Sequence, residues 1–210
     1  MIRIESQDEA IVVYGAGDHG RVVAEAAVAG GLRLAGFVDD GVVDEAVSLP
    51  APLLGPLAGA RTPGHAGLIV AIGDNDARAR ALDTAEEAGW TLVSVVHPAA
   101  SVAVSASIGP GAFVGPGAVV HSHASVGRGC IVNSGAVVEH HNIILACAHI
   151  GPGAALGGRV TVGARALVGL NAAVLPGMSV GEDAILGAGA VLTRPLPAGA
   201  CACGVPAAPR

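Results

Sequence analysis

From Val102 onward an aliphatic residue returns at every sixth position, through Ile108, Val114, Val138, Ile144 and Val174 to Leu192, sixteen in succession without an insertion. A period of six is neither the 3.6 of a helix face nor the 2 of a lone strand. It is the period of a stacked repeat, in which each unit buries one side chain in a narrow interior and the neighbouring units cover it. The second position of the hexad is often glycine (Gly109, Gly115, Gly127, Gly151, Gly157, Gly163, Gly169, Gly181, Gly187), and the fifth is usually alanine, as at Ala112, Ala118, Ala136, Ala154, Ala166 and Ala190. The expectation is a parallel β-solenoid with the aliphatic residue inward, the small residue closing the corner, and the second-position glycine accepting the backbone angles of the turn. With three hexads to a triangular coil, sixteen hexads predict about five coils.

Before His97-Pro98 the pattern is different. Short apolar runs at Ile11 to Tyr14, Leu34 to Val38, Leu68 to Ile72 and Leu92 to Val96 read as strands. They alternate with helical stretches at Gly20 to Ala29 and Asp76 to Ala88, the second capped by Asp74 or Asn75. Such alternation is the signature of βαβ units on a parallel sheet. The chain is therefore expected to be an α/β Rossmann-like half over residues 1–96 followed by a β-helix over residues 97–210.

Composition narrows the partners. Only 2% of residues are aromatic, so the core is built from small aliphatic layers, and the net charge of −6 with 11 scattered Lys and Arg tells against nucleic acid or an anionic membrane as a ligand. No apolar run approaches the ~20 residues of a membrane span, and Met1 to Glu9 lacks the layout of a signal peptide, so a cytoplasmic protein is expected. Cys130, Cys147, Cys201 and Cys203 lack zinc-ribbon spacing and read as free thiols, two of them in repeat positions that want a small hydrophobe. His121 and His123 flank Ser122 with no acidic or thiol partner at matching spacing, so no metal is expected.

Two groups of residues carry candidate chemistry. Gly15-Ala16-Gly17-Asp18-His19-Gly20 is a G-x-G-x-x-G between the first strand and helix, where backbone N–H groups meet a phosphate. Asp39 and Asp40 follow about 20 residues on, where a dinucleotide domain holds its ribose, and NAD stays open as an alternative ligand. In the repeat half, His140 occupies the third position of its hexad and can serve as a general base. Gly158 follows 18 residues later, one full coil, so its N–H lies beside that histidine and can receive developing negative charge. His149 is nine residues from His140, half a coil, so the two point from different sides of one prism and can meet only across a subunit boundary.

The motifs Val13-Tyr14-Gly15-Ala16-Gly17-Asp18-His19-Gly20, Phe37-Val38-Asp39-Asp40, Ala71-Ile72-Gly73-Asp74-Asn75, Asn133-Ser134-Gly135, Glu139-His140, His149 and Gly204-Val205-Pro206-Ala207 span nearly the whole chain. Together they resemble the bacterial sugar O-/N-acetyltransferases, of the sialic-acid O-acetyltransferase and UDP-4-amino-sugar N-acetyltransferase type, within the hexapeptide-repeat left-handed β-helix acyltransferases. The resemblance implies a left-handed solenoid and acetyl transfer from acetyl-CoA to the amino group of a nucleotide-linked sugar, such as a UDP-linked 4-amino-4,6-dideoxy sugar; a homotrimer is expected because the half-coil spacing of His140 and His149 needs a neighbour to complete each site. It assigns His140 as base with Glu139 and His141 as its catalytic neighbours. His149, Gly158, Leu170 and Ala188 would contact acetyl-CoA, and Gly17, Asp18, His19, Asp39, Asp40, Gly73 and Asn75 the nucleotide sugar. The sequence departs from the family at His141, where an acidic residue is usual, and at Leu145, where glycine is usual. O-acetylation of sialic acid, a non-catalytic nucleotide-sugar-binding homologue, and an NAD enzyme using only the first half are the competing readings.

Overall fold

A computed structural model describes residues 10–41, 48–60 and 66–210, so Met1 to Glu9 lies outside the described residues. The first half forms β1 (Ala10–Tyr14), α1 (Asp18–Ala29), β2 (Arg33–Val38), β3 (Gly67–Val70) and α2 (Asn75–Glu87), with a parallel sheet in the order β2-β1-β3. The central strand Ala-Ile-Val-Val-Tyr is buried throughout, as a parallel strand covered on both faces must be. Helix α2 starts where Asp74 accepts the Ala77 N–H at 2.7 Å. Neither helix is long and apolar enough to cross a membrane.

The fourth expected strand, Leu92 to Val96, is divided. Leu92 makes a single parallel bridge to Leu68 on the first-half sheet, while β4 (Val95–Val96) pairs with Phe113–Val114 and is already a rung of the solenoid. The physical reason is phase: Val96 stands six residues before Val102, in register with the hexads.

Beyond it the fold is the expected one, an α/β half followed by a left-handed parallel β-helix. Two-residue strands recur every six residues as far as Leu192 and form three sheets of parallel rungs 18 residues apart, as in Ile131 paired with His149, the first sheet closing on an antiparallel strand at Ala208–Pro209. The first sheet runs from Val95 through Phe113, Ile131, His149, Leu167 and Ile185 to Cys201; the second starts at Ser101 and the third at Ser107. The coils number about six rather than five, because the rungs at Val95–Val96 and Cys201–Cys203 lie outside the sixteen hexads. Inside, the aliphatic residue of each strand packs against the fifth-position residues, among which Ala118, Ala136, Ala154, Ala172 and Ala190 form one stack of fully buried methyl groups.

The role given to the second-position glycines needs correcting. The left-handed backbone conformation falls at the fourth position of the hexad, with φ of +68° at Gly111 and +60° at His123 and His141, and seven non-glycine residues adopt such a conformation. The second-position glycines answer close approach instead: a Cβ at Gly163 would lie 2.3 Å from the Glu182 nitrogen of the next coil. Cys147 is likewise a corner residue with φ +57°, not an inward hydrophobe, whereas Cys130 does occupy the small fifth position. Burial pushes the Cys130 thiol up to about 12 and raises Cys147 as well, so neither is a nucleophile.

The two halves share one seam. Phe113 and Ile131, on the outer face of the first sheet, are buried with Val23 and Ala27 of α1, and Cys147 packs in a cluster with Leu82 of α2 and Trp90. Arg78 of α2 crosses this seam fully buried. Its Nε donates to Gly129 O at 2.7 Å, Nη1 to the Ile72 and Gly73 carbonyls, and Nη2 to Asn75 Oδ1 and to Cys147 O at 2.7 Å. All five guanidinium N–H groups are thereby used, which is how a cation is kept in a dry seam without a carboxylate. Replacing Arg78 by Met retains the stem and strands these acceptors. The expected loss is on the order of 3 kcal/mol, or roughly a 10 °C fall in Tm for a chain of this size. Differential scanning calorimetry checks it, and a shift under ~2 °C contradicts the bridging role.

Candidate active site

The glycine-rich turn divides its labour. Gly15 has φ +115° and a Cβ there would lie 2.7 Å from Ala71 O, while a Cβ at Gly20 would meet Gly15 O at 1.8 Å, so both are needed for packing. Gly17 has nothing within 4 Å of its Cβ direction and, with the exposed Asp18, forms the open face at the start of α1. Asp39 is half-buried and Asp40 exposed, and both carboxylates accept hydrogen bonds from the protein. Asp39 accepts the Ala16 N–H at 2.7 Å and the Gly41 N–H at 2.8 Å; Asp40 accepts the Leu57 N–H and the Tyr14 hydroxyl. Burial and the Asp40 bond hold the Tyr14 phenol far above its ordinary pKa. The two carboxylates thus shape the turn, and Asp39 already fills the Ala16 N–H that a phosphate would use in a dinucleotide site.

At the seam, Gly73, Asn75, Asp76, His149, Arg165 and Leu167 line a cavity of about 270 Å³. Asn75 spends its side chain on structure, donating to Arg165 O at 2.7 Å and accepting from Arg78. His149 Nε2 lies 3.1 Å from Asn133 Nδ2. Because Asn133 Oδ1 already accepts the Ser134 N–H at 2.8 Å, its amide NH₂ faces the ring and Nε2 is the acceptor. Burial, then the Arg78 charge and His19, lower the His149 pKa to about 4 despite a hydrogen bond to the Gly73 backbone. The ring is neutral and fixed in one tautomer. His19 packs edge-on against Phe113 at 5.5 Å with Nε2 buried and without a partner among the described residues, and burial lowers its pKa too. Asn133 was visible in the sequence only as part of a motif; its role as the partner of His149 depends on rungs one coil apart.

A second group stands on a different edge of the prism, at the corner between the second and third sheets. His140 is exposed, and its imidazole lies over Gly158, where a Cβ would come within 2.5 Å of Cε1 and 2.6 Å of Nε2. Only glycine leaves room for that ring. Gly158 O accepts the Gly177 N–H at 2.9 Å, while the Gly158 N–H has no backbone acceptor among the described residues. His140 Nδ1 is 3.2 Å from His141 Nδ1, and His141 stacks against His123 with ring centroids 5.0 Å apart. The Glu139 carboxylate sits on the His140 backbone N–H at 3.1 Å and 3.5 Å from His121 Nε2, so within one chain it touches the main chain and not the imidazole of His140. Leu170 and Ala188 are exposed, one coil apart, at the corner between the first and second sheets. One chain therefore brings together Gly73, Asn75 and His149, and separately His140, His141 and Gly158, on different faces. No group of His, Cys, Asp or Glu among the described residues is set to hold a metal ion.

Family models match both halves: the PglD N-terminal domain over residues 10–85, the bacterial transferase hexapeptide (six repeats) over 105–140, and the hexapeptide repeat of succinyl-transferase over 159–194. Among solved structures the chain is similar to a mutant of perosamine N-acetyltransferase from Caulobacter crescentus, in complex with CoA and GDP-perosamine, at 38% identity, 97% of each chain covered and TM-score 0.91. It is similar to the acetyltransferase domain of PglB from Neisseria gonorrhoeae FA1090 at 34% identity, covering 97% of this chain and 100% of that one, TM-score 0.91. WeeI from Acinetobacter baumannii AYE matches at 25% identity over 96% and 100%, TM-score 0.84. A comparison with curated proteins finds no match.

The half-buried His149 ring has a pH consequence. Its folded pKa lies below the unfolded value of 6.5, so the unfolded chain binds the proton first, and the stability this ring contributes is present above pH 6.5 and erodes as pH falls toward about 4. Imidazole NMR should show His149 titrating near 4. A midpoint above 6 contradicts the neutral assignment.

Proposed function

The chain belongs to the hexapeptide-repeat sugar acetyltransferases, and from that membership we propose that it transfers acetyl from acetyl-CoA to the amino group of a nucleotide-linked amino sugar. The observation that carries the reading is the His140 imidazole resting over a glycine whose N–H has no acceptor among the described residues. The relative crystallised with CoA and GDP-perosamine aligns over 97% of this chain, and the PglB domain was solved with acetyl coenzyme A. The first supports an amine acceptor and the second acetyl-CoA as the donor.

The chemistry follows from the geometry. With Nδ1 turned toward His141, the free nitrogen of His140 is Nε2, on the side of Gly158. The neutral sugar amine attacks the thioester carbonyl carbon, Nε2 takes the proton that the nitrogen sheds, and the carbonyl oxygen gains negative charge against the Gly158 N–H. Collapse expels the CoA thiolate, which takes the proton back, leaving an amide and free CoA. His141 stands where its ring orients His140, and Glu139 holds the main chain at the same corner.

A complete site needs a second chain. The outward residues of the second sheet, Val119, Val137, Ala155, Ala173 and Val191, form a stripe of small apolar side chains. Three copies packed by this face bring the His140 corner of one against the Leu170 and Ala188 corner of the next, on the side of its His149 cavity. In that arrangement His149, Leu170 and Ala188 border the acetyl-CoA arm opposite Gly158. Gly17, Asp18, His19 and Gly73 of the first half receive the nucleotide sugar, with Asp39, Asp40 and Asn75 shaping their loops. Dependence on acetyl-CoA and a nucleotide sugar fits a cytoplasmic enzyme.

Changing His140 to Ala should lower kcat/KM by roughly 10²–10⁴-fold with acetyl-CoA affinity nearly intact. The assay is thiol release with UDP- and GDP-linked 4-amino sugars; full turnover by the variant across the pH range contradicts the role. Sedimentation should give a trimer, and an active monomer would refute the shared site.

A further inference from the structure

The solenoid corners obey a rule. The fifth-position N–H of each hexad donates to the second-position carbonyl across the turn, as in Ala136 to Asn133 at 3.0 Å and Ala154 to Gly151 at 3.1 Å. Fourteen of the sixteen corners from His97–Ala100 to Gly187–Ala190 make this bond. The two that do not are Glu139–Asn142 and Gly157–Val160, stacked one coil apart, which are the corners carrying His140 and Gly158. In the second of them the Val160 N–H has been diverted: it donates to Asn142 Oδ1 at 2.7 Å.

Asn142 is itself the exception of the solenoid interior. At the fifth position, where the other coils place Ala, Cys, Val or Met, it is fully buried. Its Nδ2 has no partner among the described residues. A buried amide with an unpaired NH₂ in an aliphatic core is destabilising, and an alanine in its place would let both corners close like the rest. The cost falls directly beneath the proposed base and the proposed oxyanion donor. The ladder bond entering the corner, Glu139 N–H to Leu156 O, is also long at 3.3 Å against 2.8 Å for Val137 to Ala154.

We infer that Asn142 is a positioning residue: by taking the Val160 N–H it opens the two stacked corners and sets the spacing between the His140 imidazole and the Gly158 N–H. The inference rests on the proposed acetyl transfer for its kinetic consequence, and on the solenoid alone for its stability consequence. Asn142 touches neither substrate and acts through the two backbones.

The test compares Asn142→Ala and Asn142→Ser with the parent trimer. Asn142→Ala should melt no lower than the parent, and up to about 6 °C higher, because it removes an unpaired buried group and restores the turn bonds. Its kcat should fall on the order of 10–100-fold, with KM for both substrates within about twofold, since only the reacting geometry is disturbed. Asn142→Ser, which keeps an acceptor hydroxyl, should recover part of kcat. An Asn142→Ala chain that unfolds or melts well below the parent overturns the inference, because Asn142 would then be structural; so does an unchanged kcat. A parent that transfers no acetyl group would sink the function proposed above, while the melting comparison would still decide the role of Asn142 in the corners.

Discussion

Successive coils of this solenoid meet at corners where one backbone crosses the next at van der Waals distance, and the requirements of that crossing organise the chain. Where the second position is glycine, a Cβ would collide with the following coil, as at Gly163 and Gly181. From Gly111 to Gly189 the fourth adopts positive φ, and the third makes no backbone N–H bond among the described residues, its N–H being taken by a side chain at Ser134 and His140. Residues 18 apart are consequently held in fixed register by ladder bonds such as Ile131 to His149. Catalytic geometry is then a matter of which side chain is placed at which corner. An imidazole at the third position of one coil and a glycine at the third position of the next place the proposed base beside an N–H with no acceptor among the described residues, with the Asn142 side chain bonded to the Val160 N–H beneath them.

The first half is tied to this scaffold at the coils that matter. Arg78 joins the loop Ile72 to Asn75 to the corners at Gly129 and Cys147, and Asn75 reaches the carbonyls of Arg165 and Ala166. The loop that borders the His149 cavity is therefore positioned by the solenoid and not by the Rossmann-like sheet alone. The Arg78 charge is also one reason that His149 stays neutral, so the same residue sets the position of the loop and the electrostatics of the cavity.

Much of this was legible in the sequence because the repeat is arithmetic. A six-residue period gives the solenoid, and 18-residue spacing puts Gly158 beside His140 and places His149 on another face. What stayed hidden depended on partners that are backbone groups. Asp39 and Asp40 sit where a ribose ligand belongs by spacing, but the Ala16 and Leu57 N–H groups that hold them cannot be read from side-chain identities. Arg78 looks like an ordinary helix-surface charge until docking buries it. Glycine occupies both the second and fourth hexad positions, so composition could not say which one needs positive φ; His141, Arg159 and Asn171 at the fourth position show it in the structure. The division of Leu92 to Val96 between two sheets was missed because its apolar run is continuous although its hydrogen bonds are not.

The central claim is that a working site takes the base from one chain and the His149 cavity from its neighbour. Mixing two disabled chains tests it directly: one carrying His140→Ala with an intact cavity, the other carrying an intact His140 with His149→Ala and Gly73→Val. Each alone should be nearly inactive. Co-assembled trimers should regain acetyl transfer, to about a quarter of the parental rate if chains mix at random, because half the cavities are intact and half of the neighbouring bases are too. Mixed trimers no more active than the two parents would contradict a shared site and place base and cavity in the service of one chain.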